Sequence, residues 1–140
     1  MTPTSTSPTA PARAIAERLV AARRNASPLA QFPGPIPSDL DTAYAIQGAG
    51  ISLWPDSVAG WKVGRLAPQW QEKFGEERLV GPIFGASIRS APGGKLLEFP
   101  VFEGGFAAVE GEFIFRLMSD APPVKKHWTA EEAGRLDLAM

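Results

Sequence analysis

Glycine and proline decide how this chain can be partitioned. Together they occupy 28 positions, 14 each, among 140 residues. Proline fixes φ and removes a backbone donor, and both residues interrupt regular structure. Two long early stretches escape them. Ala12 to Ala26 predicts a helix, with Ile15, Leu19 and Ala22 at three- to four-residue spacing and Arg18 and Arg23 among the polar positions. Pro28 lies just beyond its end. Gln31 to Pro37 holds three prolines and a glycine and predicts a loop. A second helix is expected from Ser38, which can cap it, with Asp41 completing a capping box. Leu40, Ala43, Tyr44, Gln47 and Ile51 follow at helical spacing, Gly48 and Gly50 weaken the later turns, and Pro55 stops it.

Beyond Val58 the texture becomes β-like. Gly60-Trp61-Lys62-Val63-Gly64 predicts a strand, and Pro68 to Phe74 a short helix ending at Gly75. Gly81-Pro82 and Pro92-Gly93-Gly94 predict turns, and Lys95 to Phe102 an edge or bulged strand broken by Pro100. Ala108 to Leu117 is the clearest strand of all. A last helix is expected from Thr129, with Glu132 at capping-box spacing. No internal repeat is present. The expected class is α+β: a helical N-terminal portion, then a β-rich body, then a helix that the chain does not finish. Met1 to Pro11, rich in Thr, Ser and Pro, predicts a disordered tail (residues 1–11), leaving 12–140 as one domain.

Composition narrows the function. Hydrophobic residues make up 44% and charged residues 21%, and the formal net charge is -1. A near-neutral chain lacks the basic footprint that nucleic acid or an anionic membrane requires. No apolar run is long enough for a bilayer, so cytoplasmic location is the default. Cysteine is absent and histidine occurs once, as His127. Any metal must therefore take mainly oxygen ligands, which favours magnesium or manganese over zinc. His127, in a basic loop, predicts a surface residue. Trp54, Trp61, Trp70 and Trp128 predict packing residues, not a base-stacking platform. Gly104-Gly105 lacks the lysine and following helix of a phosphate loop.

The chemistry concentrates in Val109-Glu110-Gly111-Glu112-Phe113-Ile114-Phe115-Arg116-Leu117. On a strand, Val109, Gly111, Phe113, Phe115 and Leu117 share an apolar face. Glu110 and Glu112 share the other, with Cβ atoms roughly 6–7 Å apart. Two carboxylates that close, shielded from water, take up a proton or bind a cation. Gly111 leaves room for another element on its face. Taken alone, Glu-x-Glu on a strand describes an ordinary solvated face.

Four segments in order change that reading. Asp39-Leu40-Asp41-Thr42-Ala43-Tyr44-Ala45-Ile46-Gln47, Gly60-Trp61-Lys62-Val63-Gly64, the segment around Glu110 and Glu112, and Thr129-Ala130-Glu131-Glu132 together resemble the 2-keto-4-pentenoate hydratases and 4-oxalocrotonate decarboxylases of the fumarylacetoacetase superfamily. Gln71 and Gly75 also fall where those enzymes carry Gln and Gly. The resemblance runs from about Ile15 to the C-terminus. It implies part of a mixed β-sandwich roll following the helices. It implies Mg2+ or Mn2+ held by Glu110, Glu112 and a third acid, which in the family lies on the strand after the last helix here. The chain is therefore expected to be a truncated N-terminal half. Glu98, Glu103 and Asp120 are candidate substitute ligands. Leu79-Val80-Gly81 stands where many relatives have Asp-Phe-Gly, which separates this chain from that pattern.

The substrate so implied is a small 2-oxo acid or its enol, such as 2-keto-4-pentenoate of aromatic catabolism, and the full-length form is expected to be a homo-oligomer. The expected reaction is hydration, with decarboxylation and C–C hydrolysis as alternatives sharing the same enolate. Lys62 is the candidate acid/base residue, with partial burial beside a metal suiting it to proton transfer. Read locally, it is an exposed lysine on an edge strand. A glycosidase with paired carboxylates is disfavoured, because both acids approach from one side. An inactive truncated paralogue is the non-catalytic alternative.

Overall fold

The computed structural model describes residues 9–125 and 127–139. The first eight positions of the expected tail lie outside the described residues. Two compact units divide the chain between Phe106 and Ala107. Both helices and strands are present, so the class is α+β.

In the first unit, α1 spans Ala10–Arg24 and starts inside the stretch expected to be tail. Pro11 lies in its first turn, where the missing N–H is not needed and φ is already helical. The helix stops without glycine. Ala26 adopts φ 48°, while its N–H bonds to Arg23 O and that of Ser27 to Ala22 O. This is a Schellman ending built on an alanine, and left-handed backbone costs such a residue about 1 kcal/mol.

The second helix, α2, spans Leu40–Leu53. Its cap is Asp39, not the expected Ser38. Asp39 Oδ1 accepts from Thr42 N–H at 2.7 Å, and Ser38 Oγ donates to the other oxygen. The carboxylate wins because it accepts both bonds with full charge. The Thr42 bond holds the Asp39 carboxyl below its usual pKa. Gly48 and Gly50 both lie within the helix.

The core forms where α1 meets α2. Ala12, Ile15, Ala16, Ile46 and Ala49 are buried together, with Leu19, Phe32 and Leu53 packed around them. Three of the five buried residues are alanines, so the backbones can approach closely. Arg18 donates to Pro33 O and ties the proline-rich loop back onto α1. Gly34 sits over Ile15 in that loop, and an added Cβ would lie 2.8 Å from the Ile15 side chain.

Strand β1 (Val58–Arg65) pairs antiparallel with β2 (Arg78–Phe84). The connection between them is α3 (Pro68–Phe74), which ends on Gly75 at φ 67° as its sequence predicts. Gln71 donates to Leu66 O at 2.6 Å and holds the entrance of this connection. Gly81 and Pro82, expected as a turn, lie inside β2. The outer edge of β2 explains how a proline is tolerated. Val80 N–H donates to Tyr44 Oη and Val80 O accepts from Gln47, so both groups face α2 and not β1. Pro82, two residues on, has its nitrogen on that same outer side, where no ladder bond is lost. Asp56 accepts from Ser57 and Ala86 N–H and closes the end of the pair. Pro92–Gly94 forms a single tight turn. Residues 95–102, expected as a strand, form none.

In the second unit, strand structure among the described residues is confined to β3 (Arg116–Leu117) and β4 (Leu138–Ala139), which pair antiparallel. Residues 108–115, the clearest strand by pattern, have no strand assignment. A strand exists only against a partner, and among the described residues the ladder reaches only Arg116 and Leu117. The expected core face is correspondingly exposed: Phe113 is 84% accessible, and Val109, Phe115 and Leu117 are exposed too. Helix α4 (Ala130–Ala133) opens with the expected capping box between Thr129 and Glu132 but lasts a single turn.

Lys125 and Thr129 N–H both bond the Glu132 carboxylate. The Lys125 bond, then the Thr129 backbone bond, pull its pKa from 4.5 to about 2. A depressed carboxyl contributes stability above its unfolded pKa and loses it as pH falls toward the folded value. Trp128 donates its indole N–H to Lys125 O beside this pair. Its indole resonance is therefore expected to titrate with a midpoint near 2, and Lys125→Ala to move that midpoint up toward 4.5. An NMR titration of the unaltered chain with its midpoint at the higher value would contradict this arrangement.

Candidate functional site

Lys62 stands at the middle of β1, directly opposite Gly81 of β2. Strand alternation puts Gly60 and Gly64 on its face, and pairing adds Gly81, Ile83 and Leu79. Three of these five neighbours have no side chain, and a Cβ built at Gly60, Gly64 or Gly81 meets nothing within 4 Å. Lys62 thus rises from a bare glycine floor bordered by Leu79 and Ile83. Leu79, opposite Gly64, lies on this same face. The expectation of partial burial is not met, for Lys62 is exposed.

The opposite face of the pair carries Trp61, Val63, Val80 and Pro82. Sequence reasoning placed Tyr44 and Gln47 only as helical residues. The structure gives them a further task, clamping Val80 at 3.2 and 2.9 Å. Their i, i+3 spacing, which puts two hydrogen-bonding side chains on one helix face, was the available signal.

Glu110 and Glu112 lie in the second unit, both exposed, on the irregular segment before β3. The alternation expected to aim them to one side needs a strand, and the strand begins only at Arg116. Their oxygens are hard donors of the kind Mg2+ or Mn2+ takes. The pair fits such an ion in chemistry but supplies two ligands. Among the described residues, no group of three or more His, Cys, Asp or Glu side chains could hold a metal. Glu98 and Glu103 are exposed. Asp120 lines a small hollow with Leu117, Met118, Ser119 and Ala121. His127 is exposed, as expected. Trp54 stacks on Phe84 and Trp70 on Phe74, which are packing roles. No helix among the described residues is long and apolar enough to cross a membrane.

Comparison with protein-family models, with curated proteins and with solved structures gave no significant match.

Proposed function

We propose that this chain is a divalent-metal-dependent hydratase of the fumarylacetoacetase superfamily, acting on a small 2-oxo or 2-hydroxydienoic acid. The observation that carries the reading is Lys62 on its glycine floor. Gly60, Gly64 and Gly81 leave open space for a ligand on the face of Lys62, and its segment is one that resembles the hydratases. The clamp made by Tyr44 and Gln47, from a second resembling segment, supports the same reading. The sandwich roll of that superfamily would give residues 108–117 the strand partners that bury Val109, Phe113 and Phe115.

In this reading Glu110 and Glu112 hold Mg2+ or Mn2+ with a further oxygen donor, and the ion supplies stabilisation of negative charge on the 2-oxygen. Lys62 moves a proton at the carbon skeleton of the substrate. Leu79 stands on the Lys62 face as a hydrocarbon where relatives have an acid, so Lys62 would carry proton transfer without that carboxylate. Decarboxylation or C–C hydrolysis through the same enolate is the companion possibility for this reason. The exposure of Phe113 and Val109 favours one other reading, an inactive paralogue.

The test is turnover of 2-hydroxypenta-2,4-dienoate with and without Mn2+, together with the melting midpoint. Metal-dependent loss of the dienol and a midpoint raised by Mn2+ support the proposal, since a ligand of the folded state must stabilise it. Lys62→Ala is expected to lower turnover by about 100-fold, the scale of one general acid/base group, and to leave Mn2+ affinity intact. No turnover together with no Mn2+ shift would leave the inactive paralogue as the reading.

A further inference from the structure

A groove of about 330 Å³ lies in the first unit where α1, α2 and β2 meet. It is independent of Lys62 and of the two glutamates. Its walls are hydrocarbon, supplied by Leu19, Val20, Ile46 and Ile51 and by the stacked rings of Trp54 and Phe84. Among the described residues, Arg23 is the one charged side chain lining it. The Arg23 guanidinium sits 5.0 Å from the Trp54 ring centroid and 5.6 Å from that of Phe84. Among the described residues no carboxylate is paired with it.

We propose that this groove binds a small carboxylic acid with an apolar body, its hydrocarbon seated between α1 and α2 and its carboxylate paired with Arg23. The volume falls in the range of small-molecule sites, which are mostly apolar with a few placed polar groups. Both rings lie within about 6 Å of the guanidinium and attract its charge, while its N–H donors lie in the plane of the group. Those donors match a carboxylate in a two-point contact. The remaining charge on α1 points the same way: Arg13, Arg18, Arg23 and Arg24 face a single acid, Glu17, which is already bound to Arg13.

The inference rests on the groove alone, so it is tested with a chelator present, where failure of the metal reading has no bearing. Phenylacetate is titrated calorimetrically into the full chain, beside its uncharged amide. Saturable binding of the acid, at least about tenfold tighter than the amide, is expected from one charge-assisted contact. Arg23→Gln should remove that preference. Gly50→Leu should block both ligands, because Gly50 lines the groove and its Cβ direction meets only Val20, at 3.9 Å. Melting midpoints identify any variant that fails to fold, and the acid–amide comparison on the unaltered chain then decides. Absence of saturable binding, equal affinity for acid and amide, or undiminished binding by Gly50→Leu overturns the proposal. A groove filled by a second copy would give the first of these.

Discussion

Replacing Ile46 with alanine is expected to destabilise residues 9–106 by about 2–5 kcal/mol, the range for large-to-small changes in a packed core. Ile46 is only 6% exposed and is one of the two branched aliphatics in a cluster whose other buried members are Ala12, Ala16 and Ala49. Alanines have no side-chain freedom with which to fill a void, and α1 and α2 already touch through them. The cavity should therefore persist. A domain of this size has a net stability on the order of 5–15 kcal/mol, so the loss is a large share of it. Ile46→Val, which removes one methyl, should cost about 1 kcal/mol. Urea unfolding followed by far-UV circular dichroism measures both. If alanine and valine gave the same small shift in midpoint, the contact between α1 and α2 would not be the core.

The second large effect concerns the proposed metal site. Mn2+ affinity is expected to fall by at least about 100-fold in the double variant Glu110→Gln/Glu112→Gln, with the melting midpoint in chelator unchanged. A unit charge within about 4 Å contributes on the order of 4 kcal/mol at an effective dielectric near 20. Water screening at two exposed side chains reduces that figure, which is why the expectation is set well below the Coulomb value for two charges. Each amide keeps one oxygen and nearly the shape, so the comparison reports mainly the loss of charge. Calorimetric titration of Mn2+ reads the change directly. Equal affinity in the two proteins would remove Glu110 and Glu112 from the proposed metal site.

Local signals transferred well from sequence to structure. Gly75 ends α3 because a left-handed cap needs no Cβ there, and Thr129 with Glu132 forms its capping box because both partners lie within one turn. Both features need nothing from distant residues. The misreadings have the opposite cause. Residues 109–113 alternate apolar or glycine with glutamate, yet alternation states only which face could be buried, not that a partner strand exists. Gly81-Pro82 has turn composition, and only the clamp from Tyr44 and Gln47, more than thirty residues away, shows why proline can sit in β2. Asp39 displaced Ser38 as cap by one residue, a choice between two good acceptors that spacing does not decide. Of the candidate site, the strand bearing Lys62 and its glycine neighbours was legible. Gly81 opposite Lys62 was not, because register across a connection that contains a helix is a tertiary property.

The bonds from α2 to Val80 also govern how this sheet can grow. With Tyr44 and Gln47 occupying the outward amide and carbonyl of β2, no incoming backbone can zip onto that flank without first prising a helix away. Enlargement of the sheet, by this polypeptide or another, is steered to the margin of β1, and so would extend the very surface from which Lys62 projects.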